Sequence, residues 1–244
     1  MYKILFLVEG QDDFQFYKML LGKIYEIEIK DATYISELFG GEIGRRSTCI
    51  LLGDKEIYLT WCGGIDKLKN MLRYVLAKAD LARRVKEDSL KVIVVAVDLN
   101  DKSEDQIINE FIGIISSIGI GYSKVDNCIR ISIDASNIDI YVITQGLIDE
   151  AFEKHSLEEY IIKILGQRYP RISNEVLKLI ENLNLKPSPK MVIGLYEAVL
   201  VENKGIPPLI SKVIWESDIS ELKEKIADIV NKLMNILRLE DYSR

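Results

Sequence analysis

Two short apolar runs in this chain each stop at a carboxylate. The first is Ile4 to Val8, followed by Glu9-Gly10-Gln11-Asp12-Asp13. The second is Val92 to Val97, followed by Asp98-Leu99-Asn100-Asp101. Runs this short and unbroken predict strands buried on both faces, as in parallel sheets. Gly10 marks the turn out of the first strand, and Phe14, Tyr17 and Leu20-Leu21 recur at helical spacing after it. Glu9 and Asp98 are thereby expected at the carboxyl ends of two strands, where open α/β sheets keep their ligand sites.

Strand and helix signals alternate over the first 145 residues. Short strands are expected at Tyr25–Lys30, Thr48–Leu52, Ile57–Trp61, Ile118–Val125, Cys128–Ile133 and Ile138–Thr144. Gly40-Gly41 and Gly44-Arg45-Arg46 read as loops around a hairpin. From Asp66 to about Lys86, Leu68, Leu72, Val75, Ala79, Ala82 and Val85 form one apolar stripe. The opposite face carries Lys67, Lys69, Arg73, Lys78, Arg83, Arg84 and Lys86, read either as a solvated face or as a basic wall beside a phosphate-binding cleft. Ser103 to Gln106 is a capping box for the next helix. From Gln145 on, the signals are helical only. Ser156 to Glu159 is a second capping box, and Ser188-Pro189 opens a helix over Met191–Val201. Ile219, Leu222, Ile226, Ile229, Leu233 and Ile236 predict one long helix over Asp218–Leu237. Its stripe either packs on the core or offers a homodimer seam. The expected organisation is an α/β domain over 1–145 with a mostly parallel sheet and helices on both faces. A C-terminal all-helical subdomain over 146–244 packs on it.

Three separated cysteines, Cys49, Cys62 and Cys128, argue against a disulfide framework or a zinc site and suit a reducing cytoplasm. No apolar run is long enough to span a membrane, and the N-terminus shows no signal peptide. The net charge of −6 gives no global attraction to nucleic acid, although bound divalent cations supply positive charge locally. The chain is rich in Ile, Lys and Glu and has one histidine, a tilt seen in thermophiles. No Ser, His, Asp set and no phosphate-cradling glycine loop is present.

Carboxylates at two neighbouring strand ends suit Mg²⁺ or Mn²⁺, which take oxygen ligands, and two close carboxylates repel without a cation. Asp13 is either a further ligand or a first-turn acid suited to the helix dipole. Asp101 is either in the metal shell or in a solvated loop. Glu159 is the capping partner of Ser156, whereas Glu158 has no such role and is the extra candidate ligand. Arg45 and Arg46 are candidates for phosphate contact, with surface solubility as the plain alternative. His155 reads more readily as structural than as catalytic.

The stretch Ile4 to Asp13 resembles the first motif of the Toprim domain, and Val94 to Asp101 resembles its second. That domain occurs in topoisomerases, bacterial primases, small ribosomal-RNA maturases and the overcoming-lysogenization-defect nucleases. The resemblance covers residues 1 to 145. With Gly63 to Leu68 and His155 to Tyr160 included, the chain is most similar to small stand-alone archaeal and bacterial Toprim proteins. The resemblance implies a Rossmann-like sheet, Glu9 as general acid or base, and Asp98 as a Mg²⁺ ligand in phosphoryl transfer on nucleic acid. The second motif Asp is Asn100 here, which brings a carbonyl oxygen but no charge, and Asp101 is its neighbour. The implied activity is nuclease-like. The alternatives are a scaffold that binds nucleic acid or a protein without cleaving, and a structural module.

Overall fold

A computed structural model of the chain describes residues 2–77, 84, 85, 87–125, 128–133, 136–147, 152, 154–182, 184, 187–200 and 205–238. Eight strands form one sheet in the order β2-β3-β4-β1-β5-β8-β7-β6. At its centre lies β1 (Tyr2–Val8), paired in parallel with β4 (Lys55–Trp61) and β5 (Leu90–Asp98). Both apolar runs are fully buried, which is why neither alternates with polar residues.

Toward the edges the sheet turns antiparallel. β2 (Glu28–Lys30) pairs with β3 (Ser47–Leu52), and β3 with β4. Gly53-Asp54 makes the β3–β4 turn, with Gly53 at φ +59. On the other side β6 (Tyr122–Val125), β7 (Cys128–Ile133) and β8 (Ser136–Gln145) run antiparallel in turn. The sheet is therefore mixed; two-residue connections join β3 to β4, β6 to β7 and β7 to β8 and force antiparallel pairing, whereas β2 reaches β3 through α2 and α3.

Residues 31–44 form two helices where the glycines suggested loops. These are α2 (Thr33–Phe39), which buries Ile35 and Leu38, and the short α3 (Gly41–Gly44). α1 (Gln11–Ile24) follows β1. α4 (Ile65–Val75) buries Leu68, Met71, Leu72 and Val75. The expected continuation of its stripe and basic face at Lys78, Ala79, Ala82, Arg83 and Lys86 lies outside the described residues. The described Arg84 is buried and donates to the Tyr74 and Val75 carbonyls at the end of α4, satisfying acceptors that the helix leaves open. α5 (Glu104–Ser117) starts with the expected capping box: Ser103 Oγ accepts from Gln106 N, and Gln106 Oε1 accepts from Ser103 N.

The remaining elements are helices: α6 (Glu158–Arg168), α7 (Pro170–Asn182), α8 (Pro189–Leu200), α9 (Ile206–Glu216), α10 (Ile219–Lys225) and α11 (Ala227–Arg238). Ser188 Oγ accepts from Met191 N at the start of α8, as its Ser-Pro signal implies. The long final helix is broken in two at Ile226, whose φ −128 and ψ 37 leave the helical region. The apolar stripe runs on across the break, and its residues from Leu222 to Ile236 are buried. That burial is the packing alternative for the stripe rather than an exposed seam.

By contacts the chain divides into two compact units. One comprises 1–14, 25–97 and 103–144. The other comprises 15–24, 98–102 and 145–244.

Candidate functional site

In the first unit the end of β1 is tied to the end of β4 by main-chain bonds. Cys62 N donates to Val8 O, and Gly63 N and Gly64 N both donate to Glu9 O, each at 2.9 Å. Two consecutive amides reach one carbonyl because Gly63 (φ +85) and Gly64 (φ +116) occupy backbone regions that favour glycine. The turn into α1 is closed by Asp13, whose Oδ2 accepts from Gly10 N at 2.8 Å. Asp13 is buried, and this bond ties it to the chain entering α1. Glu9 and Asp13 both act on Cys62. Burial first, then the Glu9 and Asp13 charges, push the Cys62 thiol up to about 12.

Basic groups stand beside the glycine pair. A Cβ at Gly63 would lie 3.4 Å from Arg46 Nη1 and 3.7 Å from Lys67 Nζ. Arg46 is held by Glu42 at 2.7 Å and lies over the Trp61 ring, 4.9 Å from its centroid. Arg45 is placed elsewhere, on a groove lined by residues 29–33, 36, 44, 45, 47 and 48. The two candidate phosphate contacts thus belong to different surroundings. Of the expected basic face of α4, Lys69 pairs with Glu110 at 2.9 Å and Arg73 with Asn70 at 2.8 Å.

In the second unit the last residue of β5 and those after it are tied to the start of α6. Asp98 Oδ1 accepts from Leu157 N at 3.0 Å. Asn100 and His155 form an isolated antiparallel bridge. Asn100 sits at φ 54, a conformation asparagine tolerates better than most residues, and its Nδ2 approaches the Asp98 carbonyl at 3.4 Å. Glu159 organises the other side. Its Oε1 pairs with His155 Nδ1 at 3.0 Å, and its Oε2 accepts from Leu147 N at 2.7 Å and Ser156 N at 3.2 Å. The Ser156 contact is one half of the expected capping box; the other half is absent, since Glu159 N bonds to the Ser156 carbonyl and Leu157 is the N-cap, without a side-chain bond. Burial raises the Glu159 pKa above the ordinary glutamate value, against the lowering effect of its bond to His155. Gly146 allows the close approach: at φ +130, a Cβ there would stand 2.6 Å from His155 Cβ and 2.8 Å from His155 C.

Glu158 is buried and its Oε1 lies 3.6 Å from Lys190 Nζ, while Asp101 is exposed in a turn. The Glu159–His155 pair and the Asp98–Leu157 bond are the features that sequence reading missed. The four-residue spacing of His155 and Glu159 was the available signal.

Glu9 and Asp13 in the first unit, and Asp98, Asn100 and Asp101 in the second, carry oxygen atoms of the kind that Mg²⁺ and Mn²⁺ take as ligands. Among the described residues, no group of three or more His, Cys, Asp or Glu side chains is arranged to hold a metal ion.

Fold and site together define a mixed α/β protein with a C-terminal helical region and acidic residues at the ends of paired central strands. Among the described residues no helix is long and apolar enough to cross a membrane. No family model and no curated protein matches the chain. Among solved structures it is similar to the hypothetical protein PH0156 from Pyrococcus horikoshii OT3, with a TM-score of 0.69 and 17% identity over 98% of this chain and 97% of that one. A hypothetical protein SA1046 from S. aureus matches at 12% identity and a TM-score of 0.16. The first likeness supports the fold, and the second carries no argument.

Proposed function

We propose that the chain is a Toprim-type protein that uses Mg²⁺ or Mn²⁺ to act on nucleic-acid phosphodiesters, with nuclease-like chemistry. The observation that carries this reading is the parallel pairing of β1 and β5, with Val8 opposite Ala96. The first acidic residue past each paired segment is Glu9 on one strand and Asp98 on the other. Arg46 and Lys67, beside Gly63, supply cations for a phosphate near Glu9. Glu9 accepts or returns the proton of the attacking or leaving oxygen. Asp98, whose carboxylate is oriented by the Leu157 amide, would hold the ion, and Asn100 would add a neutral oxygen. Such an ion would supply positive charge to offset that on the phosphoryl oxygens.

A second reading is a scaffold of the same fold that binds nucleic acid or a protein partner without cleaving it. It is favoured by Asn100, which removes one negative charge, and by the engagement of Asp98 Oδ1 with Leu157 N.

Isothermal titration with Mn²⁺ and Mg²⁺ tests the proposal. Wild type is expected to bind Mn²⁺, and Asp98→Ala to bind it at least tenfold more weakly. Absence of binding at millimolar metal in the presence of an oligonucleotide rejects the metal-dependent reading. Binding without cleavage of single- or double-stranded DNA or RNA selects the scaffold.

A further inference from the structure

The groove that holds Arg45 does not have Arg46, Gly63 or Lys67 on its lining. Its volume is about 960 Å³, which is nucleotide-sized by comparison with ordinary ligand pockets. Its walls come from the end of β2, the start of α2 and the α3–β3 junction. Gly44 lets these walls close together, since a Cβ there would fall 1.9 Å from Ser36 Oγ.

The lining is unusual in its chemistry. Ligand pockets are mostly apolar with a few polar groups. This one carries two cations, Lys30 and Arg45, and the hydroxyl residues Thr33, Ser36, Ser47 and Thr48. Arg45 is exposed, and among the described residues no group of the chain pairs with it. Its neighbour Arg46 has Glu42. Lys30 has only a loose 3.6 Å approach to Glu28, both side chains being largely exposed, an arrangement that holds a lysine weakly. The one carboxylate on the lining, Asp31, leaves the two cations in excess.

We infer that this groove is a second phosphate-binding site, which takes a phosphorylated ligand of nucleotide size through Arg45 and Lys30. Arg45 presents a planar fork suited to phosphoryl oxygens, Lys30 adds a point charge, and the exposed Thr33 hydroxyl donates to a remaining oxygen, the Ser36 and Ser47 hydroxyls being engaged with Ala32 O and Ile43 O. The phosphate belongs either to a free small molecule or to a polynucleotide backbone. The site does not depend on chemistry at Glu9.

The test is calorimetric titration of the full chain in EDTA with two probes, inorganic pyrophosphate and a ten-residue oligothymidylate. Wild type, Arg45→Gln, Lys30→Gln, Arg45→Lys and Glu9→Gln are compared, with circular dichroism confirming that each is folded. Arg45→Gln and Lys30→Gln are expected to weaken pyrophosphate binding about tenfold each, as for loss of a charge-assisted hydrogen bond. Arg45→Lys is expected to recover part of that loss, and Glu9→Gln to bind as wild type does. Loss confined to pyrophosphate assigns a free ligand, and a parallel loss of the oligonucleotide assigns a backbone. The inference is overturned if wild type binds neither probe, if both Gln variants in the groove bind as wild type does, or if Glu9→Gln alone abolishes binding. A Glu9 variant that stops cleavage but keeps pyrophosphate separates this site from the proposed catalytic one.

Discussion

Asn100 and His155 are joined by two main-chain hydrogen bonds, Asn100 N to His155 O at 2.7 Å and His155 N to Asn100 O at 2.8 Å. The bridge fixes the backbone of the second motif to the entry of α6. Gly146, Glu159 and the Leu157 amide support the same junction from other directions. Any account of metal binding at Asp98 therefore also concerns this junction.

Gly146→Ala places a Cβ inside the van der Waals radius of His155 and imposes a positive φ on a residue that resists it. The expected cost is about 2–4 kcal/mol, from strain at a special backbone position together with displacement of the bridge. Urea unfolding of the variant measures it. A loss below about 0.5 kcal/mol would show that the junction relaxes without consequence.

Glu159→Ala strands His155 Nδ1 and two amides, those of Leu147 and Ser156. A loss of about 2–3 kcal/mol is expected for buried donors left without an acceptor. Glu159→Gln, which keeps one oxygen, is expected to lose less. The pH dependence has a definite sign. The folded-state pKa is raised by burial, so the folded chain holds this proton more tightly than the unfolded chain. The contribution is present below the ordinary glutamate pKa and is lost as pH rises through the raised one. Wild-type stability relative to Glu159→Gln is accordingly expected to fall as pH increases from about 4. A rise over that range would contradict the assignment.

Asp98→Ala is expected to destabilise the chain by about 1 kcal/mol even in EDTA, because Leu157 N loses its acceptor at the start of α6. Chemical denaturation without metal isolates this structural share. Any additional difference that appears only with Mn²⁺ belongs to metal binding. If the variant is as stable as wild type in EDTA, the capping role is wrong.

The Cys62 thiol is buried and pushed up to about 12 by burial and by Glu9 and Asp13. It is expected to stay protonated and unreactive toward an aromatic disulfide reagent at pH 8, and to react only after unfolding. Mass spectrometry of the labelled chain identifies the site. Rapid labelling of Cys62 in the native state would mean that this end of β1 and β4 is open.

The two central strands were legible because burial on both faces leaves an uninterrupted apolar run, as in Ile4–Val8 and Val92–Val97. The Ser103–Gln106 capping box was legible because all its partners lie within four residues. Helices α2 and α3 were not, since their flanking glycines carry a loop signal and each helix is short. The break at Ile226 was invisible because the apolar stripe continues through it. The grip of Leu157 on Asp98 spans 59 residues, and no local pattern encodes such a pair. Ser103 does cap its own helix, and Asp98 accepts from the start of a different one. Consecutive arginines at 45 and 46 looked equivalent in sequence, and only the tertiary placement of Trp61, Glu42 and the groove tells them apart.

The most direct test of the central claim is metal-dependent cleavage by wild type and Glu9→Gln. Labelled single- and double-stranded DNA and RNA are incubated with each protein in Mn²⁺, in Mg²⁺ and in EDTA. Cleavage of at least one substrate is expected in Mn²⁺, none in EDTA, and a rate at least about 100-fold lower for Glu9→Gln, the range for removal of a general acid or base. Cleavage by Glu9→Gln at the wild-type rate, or cleavage that persists in EDTA, would contradict that claim.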